Sequence, residues 1–268
     1  MGGREVLGKN PVGQKKPGKA AGWQKVDPAT GNELRVAKAL NPHYTYLLIL
    51  AASLAGPLCL SFDRKVAFYK NWKYLFPALV FPGLLYIAWD IYFTYKGVWN
   101  FNDHYIIGQK MVNLPLEEVL FFFLIPYCFV FVYECVRSYF PGIRGSQPAK
   151  AFLCSLAVIL LVGAIAYHKK YYTSWACLLT GAFIVLIYLS GKMFRSFEGN
   201  SFLVAYGLIL IPFLVVNSWL TSLPVVRYDD AEILDFRIIR IPVEDTLYGL
   251  LLFLMVICFY ERRKTRVS

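Results

Sequence analysis

Leu114-Pro115-Leu116-Glu117-Glu118-Val119-Leu120-Phe121-Phe122-Phe123 sets two adjacent carboxylates at the mouth of a long apolar run. The pattern returns as Ile241-Pro242-Val243-Glu244-Asp245-Thr246-Leu247-Tyr248-Gly249-Leu250, again ahead of an apolar run of membrane-spanning length. The two copies stand 127 residues apart, and the same offset pairs residues well outside the motif. It sets Tyr44 on Tyr171, Asp90 on Asn217, Val98 on Val225, Phe101 on Tyr228, Asp103 on Asp230, Ile106 on Ile233, and Tyr133-Glu134 on Tyr260-Glu261. A constant offset that matches loop and helix-end residues as well as acids reads as an internal duplication. The chain is therefore expected to consist of two similar halves.

Around these motifs the composition points to a bilayer as solvent. Of the 268 residues, 57% are hydrophobic and 17% aromatic, and the mean hydropathy is +0.48, too apolar for a soluble domain of this size. Seven apolar runs are near the roughly 20 residues a helix needs to cross the hydrocarbon core. They are Tyr44–Leu60, Pro77–Tyr95, Leu114–Val136, Ala151–Tyr167, Tyr172–Ser190, Ser201–Thr221 and Ile241–Tyr260. None has the alternating pattern of a membrane barrel strand, so the expected fold is an all-α integral membrane protein. The fourth run has no partner under the offset. Three spans, one linker span and three more make the first and fifth spans run the same way, a 3+1+3 parallel repeat about an axis along the membrane normal. The expected organisation is a basic, disordered extension over 1–40, a first repeat over 41–140, a linker span over 141–167 and a second repeat over 168–268.

Charge and cysteine usage exclude more than they assign. The net charge is +11, but eight of the 28 Lys and Arg lie in the first 40 residues, a stretch rich in Gly, Lys and Pro without the apolar centre of a signal peptide. No stacking aromatics or recognition motif accompany these charges, so no nucleic-acid partner is expected. Beyond the tail, roughly 13 cations flank the C-terminal face against about seven opposite, which favours a cytoplasmic C-terminus; counting the tail cancels that preference. Cys59, Cys128, Cys135, Cys154, Cys177 and Cys258 lie in or beside apolar runs without a Cys-x-x-Cys pair, and read as small buried hydrophobes, neither a disulfide framework nor a zinc site. His104 has no second histidine spaced to share a metal with it, so no metal site is expected.

The acids carry the chemistry. Asp90 lies within an apolar run among Tyr86, Trp89, Tyr92, Phe93 and Tyr95, and an ionisable residue inside a span is a site candidate; the competing reading is a side chain reaching headgroup water. Pro115 suits a first helical turn, which puts Glu117 and Glu118 at the start of the third span. In a dry site such a carboxyl can keep its proton and act as a general acid; in a wet one the pair are ordinary helix-start carboxylates. Packed together, the halves could gather Glu117, Glu118, Glu244 and Asp245 around one pocket. Glu134, 17 residues beyond Glu117, falls about 25 Å away along a straight helix and belongs at the opposite face.

Three stretches resemble the membrane-integral, non-flavin lycopene cyclases: Leu-Pro-Leu-Glu-Glu-Val-Leu-Phe-Phe at 114–122, Pro-Phe-Leu-Val-Val-Asn at 212–217 and Ile-Pro-Val-Glu-Asp-Thr-Leu-Tyr-Gly at 241–249. The likeness runs from about Asn41 to Arg262, and the chain resembles the fused bacterial form, in which two homologous halves share one chain. The resemblance implies a redox-neutral isomerase of the intramolecular lyase type in carotenoid biosynthesis, turning the acyclic ends of lycopene into β-ionone rings. It implies Glu117, Glu118, Glu244, Asp245 and Asp90 as acid and base. It also implies Trp89, Tyr86, Phe121, Phe122, Asn217 and Tyr248 beside the substrate, with ring faces available to a carbocation. No Gly-x-Gly-x-x-Gly fingerprint is present, and no flavin, nicotinamide or other cofactor is expected. The expected partners are lycopene or a related acyclic carotenoid, the lipid bilayer and other membrane enzymes of the carotenoid pathway; the expected location is the cell inner membrane, as a multi-pass protein. Three other readings stay open: a carotenoid hydratase or another end-group cyclase, a 3+1+3 transporter, and a membrane scaffold.

Overall fold

The computed structural model describes residues 41–143, 145, 147–191 and 193–267. The basic extension expected over 1–40 lies outside the described residues. Seven α-helices account for most of the rest: α1 Thr45–Leu60, α2 Trp72–Lys96, α3 Leu116–Tyr139, α4 Gln147–Ala166, α5 Tyr171–Leu189, α6 Gly199–Ser222 and α7 Glu244–Val267. The first six, α1 and α2 together with the short 3-10 turns leading into them, are long and apolar enough to cross a membrane. α7 differs because it starts on an acid pair and carries Glu261 near its far end. Its middle, Leu250 through Cys258, is nonetheless buried on every side, as expected of a helix apolar all round and enclosed by its neighbours.

α7 packs against α2, α3 and α5, while α1 and α6 lie along α3. Phe129 of α3 and Phe253 of α7 stack face to face at the centre, with ring centroids 4.2 Å apart and planes 3° from parallel. α4 lies along α5, and Gly181 allows the close fit: a Cβ there would meet the Ala157 carbonyl oxygen at 3.2 Å and Leu161 Cγ at 3.0 Å. All six cysteines are free; Cys128, Cys177 and Cys258 are buried as expected, whereas Cys135 and Cys154 are half-buried and Cys59 is exposed.

Three short antiparallel ribbons accompany the helices, and none was expected from the sequence. Strands β1 Trp99–Phe101 and β4 Val226–Tyr228 pair across the halves, Trp99 with Tyr228, Asn100 with Arg227 and Phe101 with Val226. The Asn102 amide donates to the Val225 carbonyl at 2.9 Å, and the Asp229 amide donates to the Val98 carbonyl at 2.8 Å. Exchanging each residue for its partner 127 positions away returns the same pairs, the mark of a self-complementary contact. The other ribbons are hairpins, β2 Lys110–Met111 with β3 Leu114–Pro115 and β5 Arg237–Ile238 with β6 Ile241–Pro242. They too repeat: Val112 and Ile239 have φ of 62° and 63°, and Gly108 and Asp235 have φ of 88° and 64°. Two-residue strands are too short for an alternating signature, and β-branched residues rarely adopt positive φ, so these turns carry no signature in the sequence. One expectation is corrected in detail. Pro115 does not occupy the first helical turn but ends a hairpin strand, because a proline at φ −56°, ψ 147° is extended, and Pro242 ends the matching strand of the second half.

At the other end of α3 and α7 the halves exchange charges. Arg137 Nη1 meets Glu261 Oε1 at 2.6 Å, and Lys264 Nζ meets Glu134 Oε1 at 2.8 Å. Arg137 and Lys264 are themselves offset partners, as are Glu134 and Glu261. Glu198 and the Tyr260 hydroxyl complete the cluster at 3.0 Å from Arg137 and 2.8 Å from Glu134. Glu134 thus sits away from Glu117, as its spacing along the helix required.

Candidate active site

The two acids of each motif point to different places. Glu117 and Glu244 are fully buried. Glu117 Oε1 accepts the Ile107 amide at 2.7 Å, and Glu244 Oε1 accepts the Leu234 amide at 2.7 Å. Thr173 adds its hydroxyl to the same Glu244 oxygen at 2.5 Å. Each first acid therefore holds down the loop that leads into its own hairpin, and the Oε2 of each has no hydrogen-bond partner among the described residues.

The second acids face a cavity between the halves. Glu118 Oε2 accepts the Tyr46 hydroxyl at 2.5 Å. Asp245 accepts two tyrosines, Tyr172 on Oδ1 and Tyr228 on Oδ2, both at 2.7 Å. Asp90 comes in from α2, 2% exposed, with no partner for its Oδ2 among the described residues. These three carboxyls, from α2, α3 and α7, line one cavity whose other walls are mostly aromatic. Tyr228 lies in β4, outside the helices. Burial, with the neighbouring Asp245 carboxylate as a further cause, holds its hydroxyl well above the usual tyrosine range. It therefore stays a donor at neutral pH.

Of the expected substrate-side residues, Phe121, Asn217 and Tyr248 line the cavity. Asn217, which stands where the first half has Asp90, turns its amide to the Phe213 carbonyl at 2.8 Å. Tyr86, Trp89 and Phe122 do not line it. Tyr86 and Trp89 pack edge-on against Tyr248 with centroids 4.6 and 4.9 Å away, Tyr86 donates to the Tyr248 carbonyl at 2.8 Å, and Phe122 sits behind Tyr86 at 5.6 Å. Tyr46, Tyr172, Tyr228 and Trp99 were missed. Tyrosines and tryptophans at span ends read as interfacial belt residues, and the sole hint in the sequence was that Tyr228 is the offset partner of Phe101.

The free space in the cavity is about 50 Å³, room for one or two waters at about 30 Å³ each. A bulky apolar ligand would have to part the walls.

Fold and site together define a helix bundle, six of its helices long and apolar enough to cross a membrane, in which duplicated acid motifs deliver carboxyls into one aromatic-walled cavity. Residues 43–136 and 169–262 each match the lycopene cyclase family, together more than half of the chain, and the chain belongs to that family. Among curated proteins it is similar to bifunctional lycopene cyclase/phytoene synthases of fungi. It is 44% identical to that of Phaeosphaeria nodorum over 41 residues, 15% of this chain and 7% of the relative. It is 31% identical to that of Leptosphaeria maculans over 103 residues (34% and 16%), and 25% identical to that of Aspergillus oryzae over 118 residues (42% and 20%). The matches thus span a fifth or less of those relatives' lengths. No solved structure matches the chain.

Proposed function

We propose that this protein is a lycopene β-cyclase, an isomerase that closes β-ionone rings on the acyclic ends of lycopene by proton-initiated cyclisation. A carboxylic acid delivers a proton to the terminal isoprene double bond and leaves a tertiary cation. The neighbouring polyene double bond attacks that cation, closing a six-membered ring and moving the charge to a ring carbon. Loss of a proton to a carboxylate then leaves the ring olefin. One proton enters and one leaves, so the reaction needs no redox partner.

The observation that carries this reading is the convergence of Asp90, Glu118 and Asp245 on a cavity walled by aromatic rings. Asp245 suits the base, because two tyrosine hydroxyls are donated to it and favour the anion. Glu118 and Asp90 are then the acids. The rings of Tyr248 and Phe121 line the same space and can stabilise a passing cation while water is kept out. Glu117 and Glu244 position the loops.

The same reading takes the chain as three spans, a linker and three spans in parallel repeat, in the cell inner membrane. The contacts that exchange under the 127-residue offset support it. A two-fold axis passes through every self-complementary contact, and here one lies at the start of α3 and α7 and the other at their far ends. The axis joining them runs along the helices.

Pigment analysis of lycopene-accumulating cells expressing the chain tests the proposal. An isomer of lycopene absorbing at shorter wavelength is the expected product, and Glu118→Gln and Asp245→Asn are expected to abolish it with the protein still in the membrane. Unchanged lycopene with wild-type protein correctly inserted would overturn the proposal, and a product heavier by one water would make the enzyme a hydratase.

A further inference from the structure

A second concavity lies on the outer face of the bundle, where α2 and α5 stand apart over α7. Leu85, Tyr86, Trp89 and Phe93 form one wall, Leu179 stands on the other, and Met255 lies on the floor; the free volume is about 380 Å³ and the lining is almost wholly apolar. Leu85 to Phe93 spans about 12 Å at 1.5 Å per residue. The end towards the acid motifs is tied shut by the Tyr92 and Tyr171 hydroxyls, 2.9 Å apart.

This groove backs directly onto the acid cavity. Trp89 and Tyr86 on the groove side touch Tyr248 on the cavity side, and Phe93 touches Trp99 with centroids 5.1 Å apart. The partition is one pair of rings thick. An apolar substrate dissolved in the bilayer meets the groove first, and the cavity as it stands is too small for an end ring.

We propose that the groove between α2 and α5 is the lateral portal and holding site for the polyene: one end of an acyclic carotenoid lies in it, the remainder stays in lipid, and displacement of Tyr248 and Trp89 admits the end group to the acids. The proposal rests on the cyclase reading for its substrate. A comparable groove between α1, α2 and α3, lined by Leu58, Phe76, Val80 and Phe123 with a free volume of about 410 Å³, serves as the control. Among the described residues, no ring contact joins its walls to a ring of the acid cavity.

The test uses the full chain in phospholipid vesicles carrying lycopene, with Leu179→Trp and Leu85→Trp filling the portal from its two walls and Val80→Trp filling the control groove. Two readouts are taken: initial rate against the lycopene mole fraction, and lycopene retained by the protein after purification in detergent. Each portal variant is expected to lower kcat/KM on the order of tenfold, mainly through KM, and to lose retained lycopene, while Val80→Trp behaves as wild type. Retention by wild type that only the portal variants lose, with no turnover by any protein, would leave the portal standing and remove the cyclase reading. Wild-type KM and retention in either folded portal variant would overturn the portal. So would equal losses in Val80→Trp, or recovery of phospholipid from the groove with no lycopene retained by wild type.

Discussion

Glu117 and Glu118 are chain neighbours on the first turn of α3, yet helical geometry turns them about 100° apart. One takes a loop amide and the other a cavity-facing tyrosine. This separates their substitutions. Glu117→Gln keeps an acceptor for the Ile107 amide, and Glu244→Gln keeps one for Leu234, so both should retain activity within about tenfold of wild type. Glu118→Gln should lose more than about a hundredfold in kcat. Lycopene turnover in membranes checks all three, and a dead Glu117→Gln that is correctly inserted would return the acid role to the first position. Tyr228 gives a pH-dependent prediction. Its folded-state value lies above the unfolded one, so the unfolded chain loses this proton first and stability falls as pH rises through about 10 and beyond. Tyr228→Phe should make the alkaline fall in unfolding midpoint shallower, by one proton in its pH slope.

At the scale of elements, the hairpins ahead of α3 and α7 are the least expected parts and the most closely repeated. Val112 and Ile239 are 79% and 71% exposed at the two tips and share a left-handed conformation. A β-branched residue there is strained on the order of 1–2 kcal/mol. Val112→Asn or Ile239→Asn, which suits positive φ, should raise the unfolding midpoint in detergent; an unchanged or lower midpoint would mean that the apolar tips contribute more than the strain costs. The helices themselves were legible because a membrane span needs a long apolar run: six, taken with the turns that lead into α1 and α2, are long and apolar enough to cross a membrane, while α7 runs to Val267, seven residues past the expected Tyr260. The ribbons were not, since two- and three-residue strands leave no periodicity. Among the described residues the β1–β4 ribbon pairs across the duplication, whereas the hairpins and the acid–loop contacts, Glu117 with Ile107 and Glu244 with Leu234, stay within each half.

For the whole molecule, the duplication is also what holds the halves together. The β1–β4 ribbon joins them at one end and the crossed pairs Arg137–Glu261 and Glu134–Lys264 at the other. Arg137 also meets Glu198, so Arg137→Ala would strand buried carboxylates and should cost on the order of 3–5 kcal/mol. Adding Glu261→Ala should restore part of that loss, as a double-mutant cycle in detergent unfolding would reveal. The sequence offset foretold that the halves correspond. It could not say which of four motif acids turn inward, because that depends on the loop each helix start captures.

In the proposed reaction, carboxyls at this cavity begin ring closure by giving a proton to carbon and end it by taking one away. Incubating the reconstituted protein with lycopene in deuterium oxide and weighing the product tests it directly. Each ring closed should gain one deuterium and lose one hydrogen, so the cyclic product should be heavier by about one mass unit per ring, and Glu118→Gln should form none. A cyclic product carrying no deuterium would contradict proton-initiated cyclisation by these groups.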